Sequence, residues 1–168
     1  MFTTYGVALH QKKRALQGRR LVAVDIENVA GGAVVTRAIA EWARTTVESA
    51  LNVVEGEQVV IGTSHVGLFN AKGAWPCARV RVRSGENGAD IELLDVLTTE
   101  HVAERFDEVV VVSGDGIFAD VVARLGGWGV EVTVASWSAS LSTRLHLAAG
   151  RTVLLDDWAS HHPSMEIA

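Results

Sequence analysis

A single cysteine, Cys77, stands in a chain of 168 residues, so no internal disulfide can form and nothing asks for an oxidising compartment. No apolar run approaches the roughly 20 residues that cross a bilayer. The N-terminus lacks the apolar core and cleavage site of a signal peptide. These absences predict a cytoplasmic protein with no membrane contact. Nucleotide signatures are missing too. No G-x-G-x-x-G follows the first apolar run, which excludes a Rossmann cofactor loop, and no G-x-x-x-x-G-K-[ST] occurs, which excludes a P-loop NTPase. The six histidines show neither His-x-x-x-His nor Cys/His zinc spacing. Ser113 is not a triad nucleophile, because no G-x-S-x-G elbow surrounds it.

What is present describes one domain with a proper core. Apolar residues make up 48% and charged residues 21%, as in a folded α/β protein rather than a disordered chain. The net charge of −5 is unevenly spread. Residues 1–20 hold Lys12, Lys13, Arg14, Arg19 and Arg20 and no acid, leaving 10 basic against 20 acidic side chains, or −10, in the rest. Such a body does not attract nucleic acid by bulk charge; a local patch or the basic arm would have to do so. The arm reads first as a solvated lead-in.

Three acidic clusters carry the chemistry. They read Asp25-Ile26-Glu27-Asn28, Gly88-Ala89-Asp90-Ile91-Glu92-Leu93-Leu94-Asp95 and Ser113-Gly114-Asp115-Gly116. The first follows the apolar run 21–24 and the third follows four valines, 109–112, as expected of strands buried on both faces of a parallel sheet. The pattern predicts strands at 20–25, 57–62, 78–83, 108–113, 130–135 and 152–155, and helices at 34–51, 89–104, 117–126 and 140–149. Residues 26–33 read as loop and 64–77 as irregular or briefly helical. The first helix places Val35, Ile39, Trp42, Thr46 and Ala50 on one stripe. Alternating strands and helices imply right-handed crossovers and a three-layer α/β/α sandwich. With strand order 3-2-1-4-5, the crevice opens at the C-terminal ends of strands 1 and 4. All three clusters then converge there.

Carboxylates gathered in a crevice repel one another unless a cation sits among them, and a hydrated divalent ion is the usual solution. Asp25 and Asn28 are also ordinary turn or cap residues. Asp90 shares a helix face with Leu94 and Leu97 and points inward, whereas Asp95 lies about 140° around that helix. Asp95, Glu92 and Glu27 therefore read as outer acids, and acids in a first turn also suit the helix dipole. The glycines beside Asp115 allow close backbone approach to a ligand. Asp120 is either a further ligand or an exposed helix acid. Arg79, Arg81 and Arg83 alternate along one strand and share a face. They form either a salt-bridged edge or, with Lys72, a cationic rail for an RNA backbone. His65, after the second strand, reads as an ordinary histidine with a cleft-facing role as the alternative, and Trp75 and Trp137 read as core or as candidates for stacking on bases.

Asp25-x-x-Asn28 after strand 1, Gly88-Ala89-Asp90-Ile91 opening a helix, and Val-Val-Val-Val-Ser113-Gly114-Asp115-Gly116 together resemble the NYN branch of the PIN-like nucleases over about residues 20–156. The resemblance implies a Mg²⁺- or Mn²⁺-dependent endoribonuclease leaving a 5′-phosphate and a 3′-hydroxyl. It also implies that Asp25, Asn28, Asp90 and Asp115 are the site residues, with Asp95 a frequent second acid. The family commonly carries another Asp two places after the Ser-Gly-Asp acid; Ile117 stands there in this chain. That departure implies either one tightly held ion or replacement by Asp120. It also motivates the alternative of an RNA-binding or regulatory module without turnover. The expected layout is a basic extension over 1–19, the nuclease-like domain over 20–158 and a tail over 159–168, with a homodimer left open. A response-regulator receiver is excluded because strand 5 ends without a lysine, and a haloacid-type phosphatase because Asn28 breaks the Asp-x-Asp spacing.

Overall fold

The computed structural model describes residues 18–163; Lys12, Lys13 and Arg14 of the basic arm lie outside them. Six strands form one parallel sheet: β1 (Arg20–Asp25), β2 (Gln58–Thr63), β3 (Arg79–Val82), β4 (Glu108–Val112), β5 (Glu131–Ser136) and β6 (Arg151–Leu154). Their order is β3-β2-β1-β4-β5-β6, and every pairing is parallel. The 3-2-1-4-5 order holds, with β6 added at the far edge.

Side chains on successive strand residues point to opposite faces, and both faces are covered. Val22 and Val24 of β1 pack on one side with Ile61, Val110 and Val112. The helices there are α1 (Ile26–Ala30), α2 (Arg37–Leu51) and α3 (Leu68–Ala74). Leu21 and Ala23 face the other side with Val60, Val109 and Val111. That side is covered by α4 (Gly88–Thr99), α5 (Val102–Arg105), α6 (Ala119–Gly127) and α7 (Thr143–Ala148). Right-handed crossovers require this division: winding outward from β1 to β3 and then from β4 to β6 sends the helices to opposite faces. No helix among the described residues is long and apolar enough to cross a membrane.

Four local expectations need correction. Residues 26–30 are helical rather than loop, because the Asp25 carboxylate caps the backbone N–H of Asn28 and Gly31 ends the turn in the left-handed region. The helix expected over 89–104 breaks into α4 and α5 at His101, whose φ is +54°. The helix expected from 117 begins as a 3₁₀ turn, Gly116–Phe118, before α6. In the first long helix the buried stripe is Ala40, Ala43, Thr46, Val47 and Leu51. Val35 precedes that helix and is 60% exposed. Small alanines let α2 lie close on the sheet, so the larger Ile39 and Trp42 flank the contact.

Candidate active site

β1 delivers Asp25 to the C-terminal edge of the sheet, in register with Gly62 of β2, while Val24 pairs with Val112 of β4. Asp25 is buried at 6% exposure. Its Oδ1 accepts the Asn28 N–H at 3.1 Å and its Oδ2 accepts the Ser113 hydroxyl at 3.2 Å. The cap that starts α1 is therefore also the cleft acid. Ser113 Oγ in turn accepts the Asp115 N–H at 3.2 Å, and Asp115 Oδ1 accepts the Ile117 N–H at 2.9 Å. Asn28 Oδ1 accepts the Gly114 N–H at 3.1 Å. These bonds tie the ends of β1 and β4 into one unit. Gly114 has no room for a side chain, since a Cβ would collide with the Ser140 carbonyl.

α4 brings the third carboxylate. A Cβ on Gly62 would lie 2.7 Å from the Ala89 carbonyl oxygen and 2.8 Å from Leu93 Cγ. Only glycine lets the first turn of α4 rest so directly on β2. Asp90 then enters the cleft at 7% exposure. Its Oδ1 is buried with no hydrogen-bond partner. Burial, then the adjoining Asp25 carboxyl, then the charges of Asp115 and Glu27 push the Asp90 carboxyl up to about 8. Burial also raises Asp25, against the hydrogen bonds from Asp90, Asn28 and Ser113 that lower it. The two adjoining carboxyls therefore resist ionising together.

The expected residues divide. Asp25, Asn28, Asp90 and Asp115 come together; Glu27 borders them, with Oε1 accepting the Ser64 N–H at 2.8 Å. Asp95 and Glu92 instead face outward and bind Arg81, at 2.9 and 2.7 Å. Asp120 is exposed and paired with Arg144, so its neighbour is a cation rather than the acidic cluster. The cationic row is ion-paired. Arg79 forks onto Glu100, Arg81 onto Glu92 and Asp95, and Arg83 lies 3.9 Å from Glu92. Glu92 and Asp95 of α4 and Glu100 just after it pair with Arg81 and Arg79, the arrangement of a salt-bridged edge. Lys72 turns its ammonium to the carbonyls of Pro76 and Ala78. Trp75 is core, at 3% exposure with Arg44 over its ring. Trp137 stacks on Trp42 at 5.7 Å and donates to the Val29 carbonyl.

Two contributors were not foreseen: the Ser113 hydroxyl as the bridge between Asp25 and Asp115, and the Glu27 brace to the loop after β2. Ser113 lay in plain view inside the Ser-Gly-Asp motif. No local pattern announces the Glu27–Ser64 contact.

Among the described residues no group of three or more His, Cys, Asp or Glu is arranged to hold a metal ion. The donors present still fit one hard cation. They are all oxygen, two carboxylates adjoin, and the orphaned Asp90 Oδ1 wants a positive partner. Mg²⁺ keeps most of its water and takes only one or two protein carboxylates. Asp25 and Asp90 offer two adjoining carboxylates of that kind, with the charge of Asp115 close enough to act on Asp90, whereas Asp120 is paired with Arg144.

Comparison with known proteins decides the lineage. The NYN domain profile matches residues 14–156. The chain belongs to the NYN domain family. This NYN protein thereby joins a PIN-like group to which ribonuclease activity is ascribed and whose nucleases typically use divalent metals. No curated protein matches it. Its fold is similar to the crystal structure of a protein of unknown function from Vibrio parahaemolyticus, with TM-score 0.58 and 22% identity over 84% of this chain and 94% of that one.

Proposed function

We propose that this NYN protein is a metal-dependent endoribonuclease acting at the cleft between β1 and β4. The observation that carries the reading is the buried Asp25–Asp90 pair with its unpartnered Asp90 oxygen. A buried carboxylate pair without a cation is costly unless it holds a proton or an ion. Perturbed, clustered carboxylates in a crevice mark functional sites.

Asp25 and Asp90 would hold Mg²⁺ or Mn²⁺, which supplies polarisation of the scissile phosphate and a lowered pKa for the attacking water. Asn28 N–H and Ser113 Oγ–H fix the Asp25 carboxylate, so its orientation is set before substrate arrives. Asp90 must surrender its proton before the pair can bind an ion. Asp115 keeps Oδ2 for a proton leaving the attacking water, while Oδ1 stays on the Ile117 N–H. Asn28, its amide oxygen on Gly114, is a positioning residue that keeps Asp25 and Asp115 in step.

The decisive assay incubates purified protein with mixed RNA in Mg²⁺, Mn²⁺ or EDTA beside an Asp25→Asn control. Cleavage that needs metal and Asp25 and leaves 5′-phosphates supports the reading. Cleavage in EDTA, or undiminished in Asp25→Asn, overturns it. A second reading, RNA binding without turnover, is favoured by Ile117, which is apolar and packs on the core beside Phe118. RNA binding with no cleavage under any metal would establish that reading instead.

A further inference from the structure

Three of the nine exposed large apolar side chains among the described residues sit on two neighbouring segments that form a rim: Val35 at 60% on one, Val66 at 59% and Phe69 at 84% exposure on the other. The rim adjoins Glu27, two residues after Asp25, through the loop that follows β2. Glu27 Oε1 accepts from the Ser64 N–H and, at 3.4 Å, from Thr63 Oγ1. A Cβ on Gly67 would meet that Thr63 hydroxyl and lie 3.3 Å from Val34 Cβ. Asn70 Nδ2 donates to the Val34 carbonyl at 2.9 Å. The segments on either side of the rim are thus clamped to each other and to the residue beside Asp25. His65 adds a second ring. Ser84 Oγ accepts the His65 N–H at 3.2 Å and lies 2.7 Å from its Nδ1, so the imidazole is held at a fixed attitude and remains exposed.

We propose that Phe69, flanked by His65, Val66 and Val35, is a stacking platform for an unpaired nucleobase of RNA whose backbone enters the Asp25–Asp90 cleft. The inference rests on the ribonuclease reading and goes on to say how the substrate is held. Two observations select a base as the occupant. Arg79 and Arg81 on β3 are occupied by Glu100, Glu92 and Asp95, and residues 21–168 carry −10, so coulombic attraction to phosphate is weak on this body. On this body, contacts that do not depend on charge carry more of the affinity, and a ring face serves any unpaired base. A duplex hides its base faces and gains nothing from such a rim.

The test uses the full chain with EDTA to prevent turnover, and fluorescein-labelled single-stranded RNA against a blunt hairpin of equal length. Phe69→Ala should weaken single-strand binding roughly tenfold with an unchanged salt slope, leave hairpin binding unaltered, and be rescued by Phe69→Trp. Because Phe69 is largely exposed, unaltered melting is expected and serves as the folding control. Equal binding by wild type and Phe69→Ala overturns the proposal, as does equal loss on both RNAs. A wild-type dimer in sedimentation that Phe69→Ala converts to monomer also overturns it, showing a protein interface. If wild type cleaves RNA and Phe69→Ala matches it, only this inference falls. If wild type neither binds nor cleaves RNA, the ribonuclease reading falls with it.

Discussion

One helix carries two acidic faces with opposite fates. On the inner face of α4, Asp90 is buried against Asp25 with no cation and an orphaned oxygen. On the outer face, Glu92 and Asp95 are half-buried or exposed and meet Arg81 at 2.7 and 2.9 Å. The residue types are alike and the positions nearly adjacent. The difference is the helical phase: about 100° per residue turns one acid into the sheet's crevice and the others onto the β3 edge. Acids paired with arginine at a surface are worth little and do no chemistry. Acids buried together without a partner are held against their electrostatics, which is how sites for cations and protons are built.

The largest effect that would break this comparison is on turnover. Asp25→Ala should lower kcat by roughly a thousandfold, about 4 kcal/mol of transition-state stabilisation. Arg81→Ala should leave kcat within about twofold in the same RNA cleavage assay. Comparable losses in the two variants would place the outer face in the chemistry.

The second test is pH. The Asp90 carboxyl is raised from 3.8 to about 8 in the folded protein. Between those values the folded state binds a proton that the unfolded chain does not. Metal-free stability is therefore greatest at low pH as far as this group is concerned, falls as pH rises from about 4 to about 8, and then levels. Calorimetry should show Asp90→Asn flattening that decline and melting above wild type at pH 8. Conversely, the rise in Tm on adding Mn²⁺ should grow from pH 6 to pH 8, because the ion must displace the proton. A Mn²⁺ effect independent of pH, or unchanged by Asp90→Asn, would remove Asp90 from the ion site.

Smaller effects sharpen the outer face. Arg81→Ala should cost about 1 kcal/mol in denaturant unfolding, since it removes the cation shared by Glu92 and Asp95. Lys72→Ala should cost about 0.5–1 kcal/mol through the two carbonyls it serves after α3. Neither substitution should alter the salt slope of RNA binding. A reduced slope in either variant would restore the cationic-rail reading.

Much of this was legible along the chain. The apolar runs at 21–24 and 109–112 announce buried parallel strands, and the acids after them announce a crevice, because both are consequences of local pattern and sheet handedness. The inward turn of Asp90 followed from its spacing to Leu97. The alternatives left open share a cause. Arg79, Arg81 and Arg83 show in sequence only that they share a face, and Asp120 only that it opens a helix. Their partners, Glu100, Glu92, Asp95 and Arg144, lie 11 to 24 residues away, and periodicity carries no information about such pairs. Trp137 looked free for the same reason, its stacking partner Trp42 lying on another element.

By itself, then, the sequence determined the strand and helix rhythm, the order of the sheet and the candidate acids of the cleft. Hydrophobic period, capping chemistry and crossover handedness are short-range rules written into consecutive residues. Tertiary structure alone decided which acids meet cations and which meet each other. It also decided that Ser113 and Asn28 lock β1 to β4 and that Gly62 lets α4 press Asp90 into the crevice. Those outcomes depend on contacts between segments tens of residues apart, where a side chain's partner is set by the packing of the elements that carry it.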